Sequence, residues 1–202
     1  AIKAVLLVHN ETATGVTNDV ADVREAIDGT GHPALLIVDG VSSIGSLAFR
    51  FDDWGVDVAI CGSQKGFMMP AGLGMLCVSP KAMALVEHGR FPRAYFDLRP
   101  QVVHNDQGYF PYTPPLAHLF GLREALDMVA EQGMPAIVAR HARLAEGVRR
   151  AVAAWELKLC ARDPESRSNT VTAIVVPDGK DARHVIDHAY RRWDMALGSG
   201  LG

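Results

Sequence analysis

The stretches Leu35-Leu36-Ile37-Val38-Asp39-Gly40 and Cys61-Gly62-Ser63-Gln64-Lys65-Gly66 carry most of what this chain says about its fold. The first is an apolar run that ends on a carboxylate. The second places a lone Lys among small residues, just after another apolar run at 56–61. Similar runs stand at 4–8, Ala-Val-Leu-Leu-Val, and at 74–78, Gly-Met-Leu-Cys-Val. Near-continuous apolar strands of this length belong to a sheet covered on both faces. Residues 20–26 between the first two have helical spacing with interspersed charge. Strands separated by helical segments predict an α/β layered domain, and in such sheets functional side chains gather past the carboxyl ends of the strands. Asp39 and Lys65, 26 positions apart, fall at two adjacent ends of that kind.

Further along, Pro80 introduces a helix over 81–86, and a Pro- and aromatic-rich stretch over 90–115 reads as irregular. A long helix is expected over 116–132, closed by Gly133, with Pro135 opening the next over 136–154. Strands at 157–160 and 170–176 and a helix at 181–192 complete a compact α+β pattern. The change of pattern predicts a boundary near 133, with a large α/β domain over 1–133 and a smaller C-terminal α+β domain over 134–202. The chain starts without Met in a strand-like run and finishes Gly198-Ser199-Gly200-Leu201-Gly202. Both features suggest a piece of a longer protein, with material missing on either side.

Composition narrows the function classes. Twenty Lys and Arg against 23 Asp and Glu give a net charge of −3, so the chain lacks the basic surplus that sequence-independent nucleic-acid binding rests on. The longest stretch free of these charges, 107–122, has 16 residues and three Pro, whereas a membrane helix needs about 20 apolar residues. Three Cys without paired spacing point to a reducing compartment and core thiols. The expectation is a soluble, cytoplasmic chain with neither membrane nor nucleic acid as partner.

Chemistry centres on Lys65 and Asp39. Desolvating an ammonium is costly; it also depresses the amine's pKa and makes it a nucleophile fit for a Schiff base. A carboxylate ending a buried strand wants a cationic partner. Pyridoxal 5'-phosphate (PLP) chemistry calls for this pair, a Lys for the cofactor's aldehyde and an acid that keeps the pyridine nitrogen protonated. A surface-loop Lys and an Asp capping the turn before Gly40 fit the same residues.

The run Leu36-Ile37-Val38-Asp39-Gly40-Val41-Ser42-Ser43-Ile44-Gly45, then Gly62-Ser63-Gln64-Lys65-Gly66 and Pro70-Ala71-Gly72-Leu73, resembles the class V aminotransferases of PLP fold type I. His9-Asn10-Glu11-Thr12-Ala13-Thr14-Gly15-Val16 is similar to that family's cofactor-contacting loop. Gly108-Tyr109-Phe110-Pro111-Tyr112-Thr113-Pro114-Pro115 and Gly121-Leu122-Arg123-Glu124-Ala125-Leu126 are similar to its dimer-contact loop and following helix. The likeness runs in order along nearly the whole chain and is greatest to members acting on glyoxylate with serine or alanine as donor.

The resemblance implies that Lys65 holds PLP and, once freed, shuttles a proton, while Asp39 pairs with the pyridine nitrogen. It implies that Thr12 contacts the cofactor, that Val41 packs on the ring and that Gln64 hydrogen-bonds beside Lys65. Thr113 would reach the phosphate in the neighbouring subunit, giving a homodimer with shared sites. Phe110 stands where close relatives have Tyr, so it cannot donate to that phosphate. The implied reaction moves an amino group from serine to glyoxylate, giving hydroxypyruvate and glycine, with alanine or another small donor as the alternative. Family elements outside the quoted residues, a phosphate-holding loop upstream and an Arg for the substrate carboxylate downstream, imply that this chain does not turn over alone.

Other readings are weaker. Gln64 stands where desulfurases of the superfamily place a titrating His, and Cys160, in an expected strand, reads as core rather than nucleophile. His184 and His188 share a helix face without a third ligand, so no metal is expected. The Arg140, His141, Arg143, Arg149 and Arg150 cluster reads as an exposed helix face balanced by Glu146. Trp54, Trp155 and Trp193 read as packing residues. A lyase or decarboxylase on the same residues would keep the cofactor. A non-catalytic α/β interaction domain would gain nothing from keeping Asp39 and Lys65.

Overall fold

The structure, a computed structural model, describes residues 2–201. Strand β1 (Ala4–Val8) leads into a small hairpin of β2 (Asn10–Glu11) and β3 (Val16–Thr17), and helix α1 (Val20–Gly29) follows. Asp19 starts α1 by accepting the Asp22 N–H, which satisfies one of the free donors at a helix start. Strands β4 (Leu35–Asp39), β5 (Val58–Gly62) and β6 (Gly74–Val78) complete a four-stranded sheet in the order β1-β4-β5-β6. The first three strands run parallel, and β6 returns antiparallel to β5. The expected strand at 56–61 is thus set two residues later at its start.

Burial alternates along β4, with Leu36 and Val38 fully buried at 0% exposure. These two, with Ala59, meet Val20 and Ile27 of α1 and form the main core. The opposite face is open, contrary to the expectation of cover on both sides. Leu6 is 79% exposed, and Val8, Ile60 and Leu76 also face outward. An apolar run reports what a strand is made of; neither core cluster of the described residues lies on this second face.

Helix α2 (Pro80–Val86) is capped by Ser79 and has Pro80 in its first turn. The stretch over 90–115 is not wholly irregular, because it contains α3 (Leu98–Asn105) with Asp97 as its cap. Pro100 misled the reading: it lies in the helix's first turn, where a missing N–H costs nothing. Helix α4 (Leu116–Gln132) ends at Gly133, whose φ of +78° breaks the run, and α5 (Met134–Ala154) begins at once. A second cluster joins α4 to the sheet, with Phe67 and Met69 packed on Ala125 and Leu122.

Short antiparallel strands β7 (Lys158–Leu159) and β8 (Ile174–Val175) and helix α6 (Ala182–Trp193) close the chain. Strand β8 is shorter than the expected 170–176, because the Thr170 and Val171 amides donate to the Ser168 hydroxyl and not to a strand neighbour. Two packing expectations also fail, since Cys77 and Cys160 are exposed with Cys61 half-buried, and Trp155 and Trp193 face outward. The Arg cluster is balanced by Glu146 as expected, through Arg149 and Arg150, but Arg149 tucks in beside Asn169 and is not exposed. None of the described helices is long and apolar enough to cross a membrane.

Candidate active site

Parallel pairing aligns the carboxyl ends of β1, β4 and β5. Val8 pairs with Asp39, and Asp39 pairs with Ile60. The three segments that follow, 9–17, 40–45 and 63–66, therefore gather at one edge of the sheet. Thr12, Asp39, Val41, Gln64 and Lys65 all lie on or beside them.

The first segment is a tight turn. The Gly15 amide donates to the Glu11 carbonyl at 2.9 Å, and the Ala13 amide donates to the Glu11 carboxylate at 2.9 Å. Thr12 sits half-buried at its crest. Gly15, at φ +71°, is pressed against the main chain at Val171 and Ala173, a place and a backbone conformation that both exclude a side chain.

The second segment begins at Asp39, whose carboxylate accepts the Val41 N–H at 2.9 Å. The Gly40 amide donates to the Ile60 carbonyl at 2.8 Å, and the Ser43 and Ile44 amides turn back to Gly40. Asp39 lies on the open face of the sheet and is exposed, so the depth expected from its apolar run is absent here. The expected capping of the turn is present, and it uses only one of the carboxylate's four acceptor positions.

Ser63 builds the third segment. It is fully buried, its hydroxyl donates to the Pro70 carbonyl at 2.7 Å, and it accepts the Leu73 N–H at 3.2 Å. That closure throws Gln64 and Lys65 outward, and both are exposed. The expected burial of Lys65 among small residues is therefore not met within these residues. Gly66 lies against Ile44 and Gly45, tying the third segment to the second. Among the described residues, neither Asp39 nor Lys65 has an ion-pair partner. Thr113 stands apart, exposed in the segment that leads into α4.

Several residues that hold this edge together were not singled out in the sequence. His9 is buried between Phe49 and Trp54 and shares a 2.9 Å hydrogen bond with Ser43. Burial pushes its imidazole below the ordinary value, against a weaker pull upward from Asp19. Asn10, also buried, donates to Ser42 Oγ at 2.9 Å and Thr170 Oγ1 at 3.1 Å, and accepts from Thr17 at 3.1 Å. The available signal for Asn10 was its place in the run 9–16 that resembles a cofactor-contacting loop, two residues past the first strand. Nothing local could have pointed to Thr170.

The far edge of the sheet is built differently. A cavity of about 370 Å³ there is lined by Arg24, Asp28, Asp57, Ser79 and Lys81, among others. Its acids and bases are largely paired, since Asp57 binds Lys81 at 3.2 Å and Arg24 pairs with Asp28, although Arg24 Nε is buried without a hydrogen-bond partner. The edge with Asp39 and Lys65 offers an unpaired amine and an unpaired acid, and that donor set fits an aldehyde cofactor with a basic ring nitrogen. Among the described residues, no cluster of His, Cys, Asp and Glu could hold a metal ion.

Comparison with known proteins points the same way. The family model described as aminotransferase class-V matches residues 1–200. The chain is 59% identical to a serine–glyoxylate aminotransferase of Methylorubrum extorquens, over 99% of this chain and 51% of that protein. It is 53% identical to an L-aspartate–glyoxylate aminotransferase of Paracoccus denitrificans, over 100% and 51% respectively. Among solved structures, pyridoxamine–pyruvate aminotransferase from Mesorhizobium loti superposes with a TM-score of 0.90 at 31% identity, covering 100% of this chain and 52% of that one. The chain thus spans about half the length of the relatives it matches.

Proposed function

This chain belongs to the class-V aminotransferase family, with the fold type I architecture of its relatives, and from that membership we propose that the protein transfers an amino group from serine to glyoxylate using PLP. The observation that carries the proposal is the placement of Asp39 and Lys65, neither with an ion-pair partner among the described residues, at and just past the carboxyl ends of two adjacent parallel strands. The 59% identity to a serine–glyoxylate aminotransferase supports the choice of donor.

When bound, PLP supplies an aldehyde for the amino donor and a ring that draws electrons from the donor's Cα–H bond. Lys65 supplies the amine that anchors the cofactor, and its Nζ, once free, is the group that carries the proton. Asp39 holds a proton on the ring nitrogen, with the Val41 amide fixing the orientation of its carboxylate. Val41 offers an apolar contact for the ring, and Thr12 and Gln64 offer hydrogen bonds at its margins. The chain's two parts, 1–133 and 134–202, would serve as portions of the large and small domains.

Thr113 is assigned to the partner's site in a homodimer. In the sequence on either side of it Phe91, Phe96 and Phe120 are 88%, 83% and 77% exposed, and Tyr109 and Tyr112 also face outward, with the Tyr95 ring 5.4 Å from Phe96 and 5.1 Å from Tyr112. Aromatic side chains exposed in this way ask for cover, and a second copy would provide it.

A second reading keeps the site and changes the donor, favoured by the 53% identity to an enzyme named for aspartate. The test uses the full-length protein. Incubation with PLP and reduction with borohydride should fix one pyridoxyl phosphate on Lys65, and Lys65→Ala should abolish it. In a separate, unreduced sample loaded with PLP, serine with glyoxylate should yield hydroxypyruvate faster than alanine or aspartate yields its oxo acid. An adduct that survives Lys65→Ala would remove Lys65 from the site, and faster turnover of aspartate would transfer the assignment to the second reading.

A further inference from the structure

One hydroxyl group of the C-terminal part bridges the two segments that carry Thr12 and Asp39. Thr170 Oγ1 accepts from Asn10 Nδ2 at 3.1 Å and donates to the Ser42 carbonyl at 3.2 Å. Asn10 and Ser42 are bound to each other as well: Asn10 Nδ2 donates to Ser42 Oγ at 2.9 Å, and Ser42 Oγ donates to the Asn10 carbonyl at 2.7 Å. Every polar atom of this junction has a consistent partner. The two amide hydrogens of Asn10 go to Ser42 Oγ and Thr170 Oγ1, and its carbonyl oxygen takes the Thr17 hydroxyl at 3.1 Å. Ser168, fully buried, accepts the Thr170 and Val171 amides and turns its own proton to Thr170.

What the junction holds matters more than its count of bonds. Asn10 lies two residues before Thr12, and Ser42 lies one after Val41 and three after Asp39. The Thr170 hydroxyl is a wedge between the two segments that carry these groups. Other links from the C-terminal part reach only the first segment, the Ser168 amide to the Gly15 carbonyl and the Thr17 amide to the Ser166 carbonyl. Buried networks of this kind are geometrically demanding, because a lost partner leaves a desolvated donor or acceptor behind.

We infer that Thr170 is a positioning residue for the cofactor site, setting the Thr12 turn against the Asp39–Val41 turn through Asn10 and Ser42. This inference rests on the proposal that the edge takes PLP. Movement of the C-terminal part would reach the Asp39–Val41 turn through this hydroxyl, which makes Thr170 the point where that turn reads the state of the C-terminal part.

The test compares wild type, Thr170→Val and Thr170→Ser in the full-length protein, with Thr170→Ala as a second deletion of the hydroxyl should valine disturb folding. In cofactor-free protein, amide hydrogen exchange at residues 11–15 and 41–44 should speed up about tenfold on loss of the hydroxyl, with β4 and β5 amides unchanged. In protein loaded with PLP, cofactor dissociation should quicken at least fivefold and the absorption maximum of the bound cofactor should shift. Thr170→Ser should restore all three. Uniform acceleration of exchange with an unchanged spectrum would overturn the inference and leave Thr170 a purely structural residue. So would a serine variant no better than valine. Wild type that binds no PLP would sink the cofactor proposal together with this one, whereas a wild type that binds normally beside an unaffected valine variant sinks this one alone.

Discussion

The main chains of Gly45 and Gly66 lie in direct contact. A Cβ on Gly45 would stand 3.0 Å from the carbonyl carbon of Gly66, and a Cβ on Gly66 would stand 2.9 Å from the Cα of Gly45. Backbone cannot yield as a flexible side chain does, so this seam fixes the turn after Asp39 against the turn bearing Lys65.

Gly66→Ala should therefore be costly well beyond its single methyl group. The added Cβ also runs into the Ile44 carbonyl, and overpacking of this sort costs roughly 1–3 kcal/mol or more. The urea midpoint of the full-length protein should fall, and the yield of borohydride-fixed pyridoxyl phosphate should fall with it. A variant of full stability and full labelling would mean that the seam opens freely.

Asp39→Ala should separate binding from turnover. The carboxylate meets one protein donor, the Val41 amide, so removing it should cost little in folding. Without an acid to hold the ring proton, the rate of amino transfer should drop on the order of a hundredfold or more. Single-turnover kinetics with serine would measure it, and a drop of less than about threefold would take Asp39 out of the chemistry.

His9 should make stability depend on pH. Its ordinary pKa is 6.5, and burial lowers it in the fold. Above pH 6.5 both folded and unfolded forms are neutral, and the contribution is fully present. As pH falls through 6.5 the unfolded chain binds the proton first, so stability declines toward the lower folded value. Urea midpoints between pH 7.5 and 5.5 should slope downward with acid, and His9→Gln should flatten part of that slope. An identical slope in the variant would assign the dependence to other groups.

Asp57→Ala should weaken the opposite edge of the sheet. Its carboxylate binds the Leu36 amide at 2.9 Å, Ser79 at 3.1 Å and Lys81 at 3.2 Å, with Arg24 at 3.7 Å. Breaking a buried pair on one side costs 3–5 kcal/mol, and the half-exposed Lys81 can return to water, so about 3 kcal/mol is expected. Denaturant unfolding would measure the loss, and PLP labelling of Lys65 should survive wherever the protein is still folded.

The sheet was legible because its strands are short, nearly unbroken apolar runs, and both 4–8 and 74–78 match the observed bounds. The helix at 116–132 was equally plain, since Gly133 marks its end in both sequence and backbone. Helix α3 was missed because proline composition says nothing about whether a Pro falls in a first turn or further in. At the candidate site, Asp39 and Lys65 were singled out from residue type and place together with the family resemblance. Their exposure could not be read in that way, because an apolar run does not say which face of a strand has company. Asn10, Ser42 and Thr170 form one object only in space, and no local pattern spans that distance.

That distance has a consequence in time. Asn10 and Thr170 are 160 positions apart. At about 5–20 residues per second, on the order of ten to thirty seconds of synthesis separate their appearance. Throughout that interval the first turns exist as nascent chain while the hydroxyl that wedges them is still unmade. Contacts of such long range also form late in refolding, since closing the loop costs entropy before the bond repays it. The edge with Asp39 and Lys65 is therefore among the last parts of this chain to mature, and a ligand there would meet a finished site only after the C-terminal part has docked.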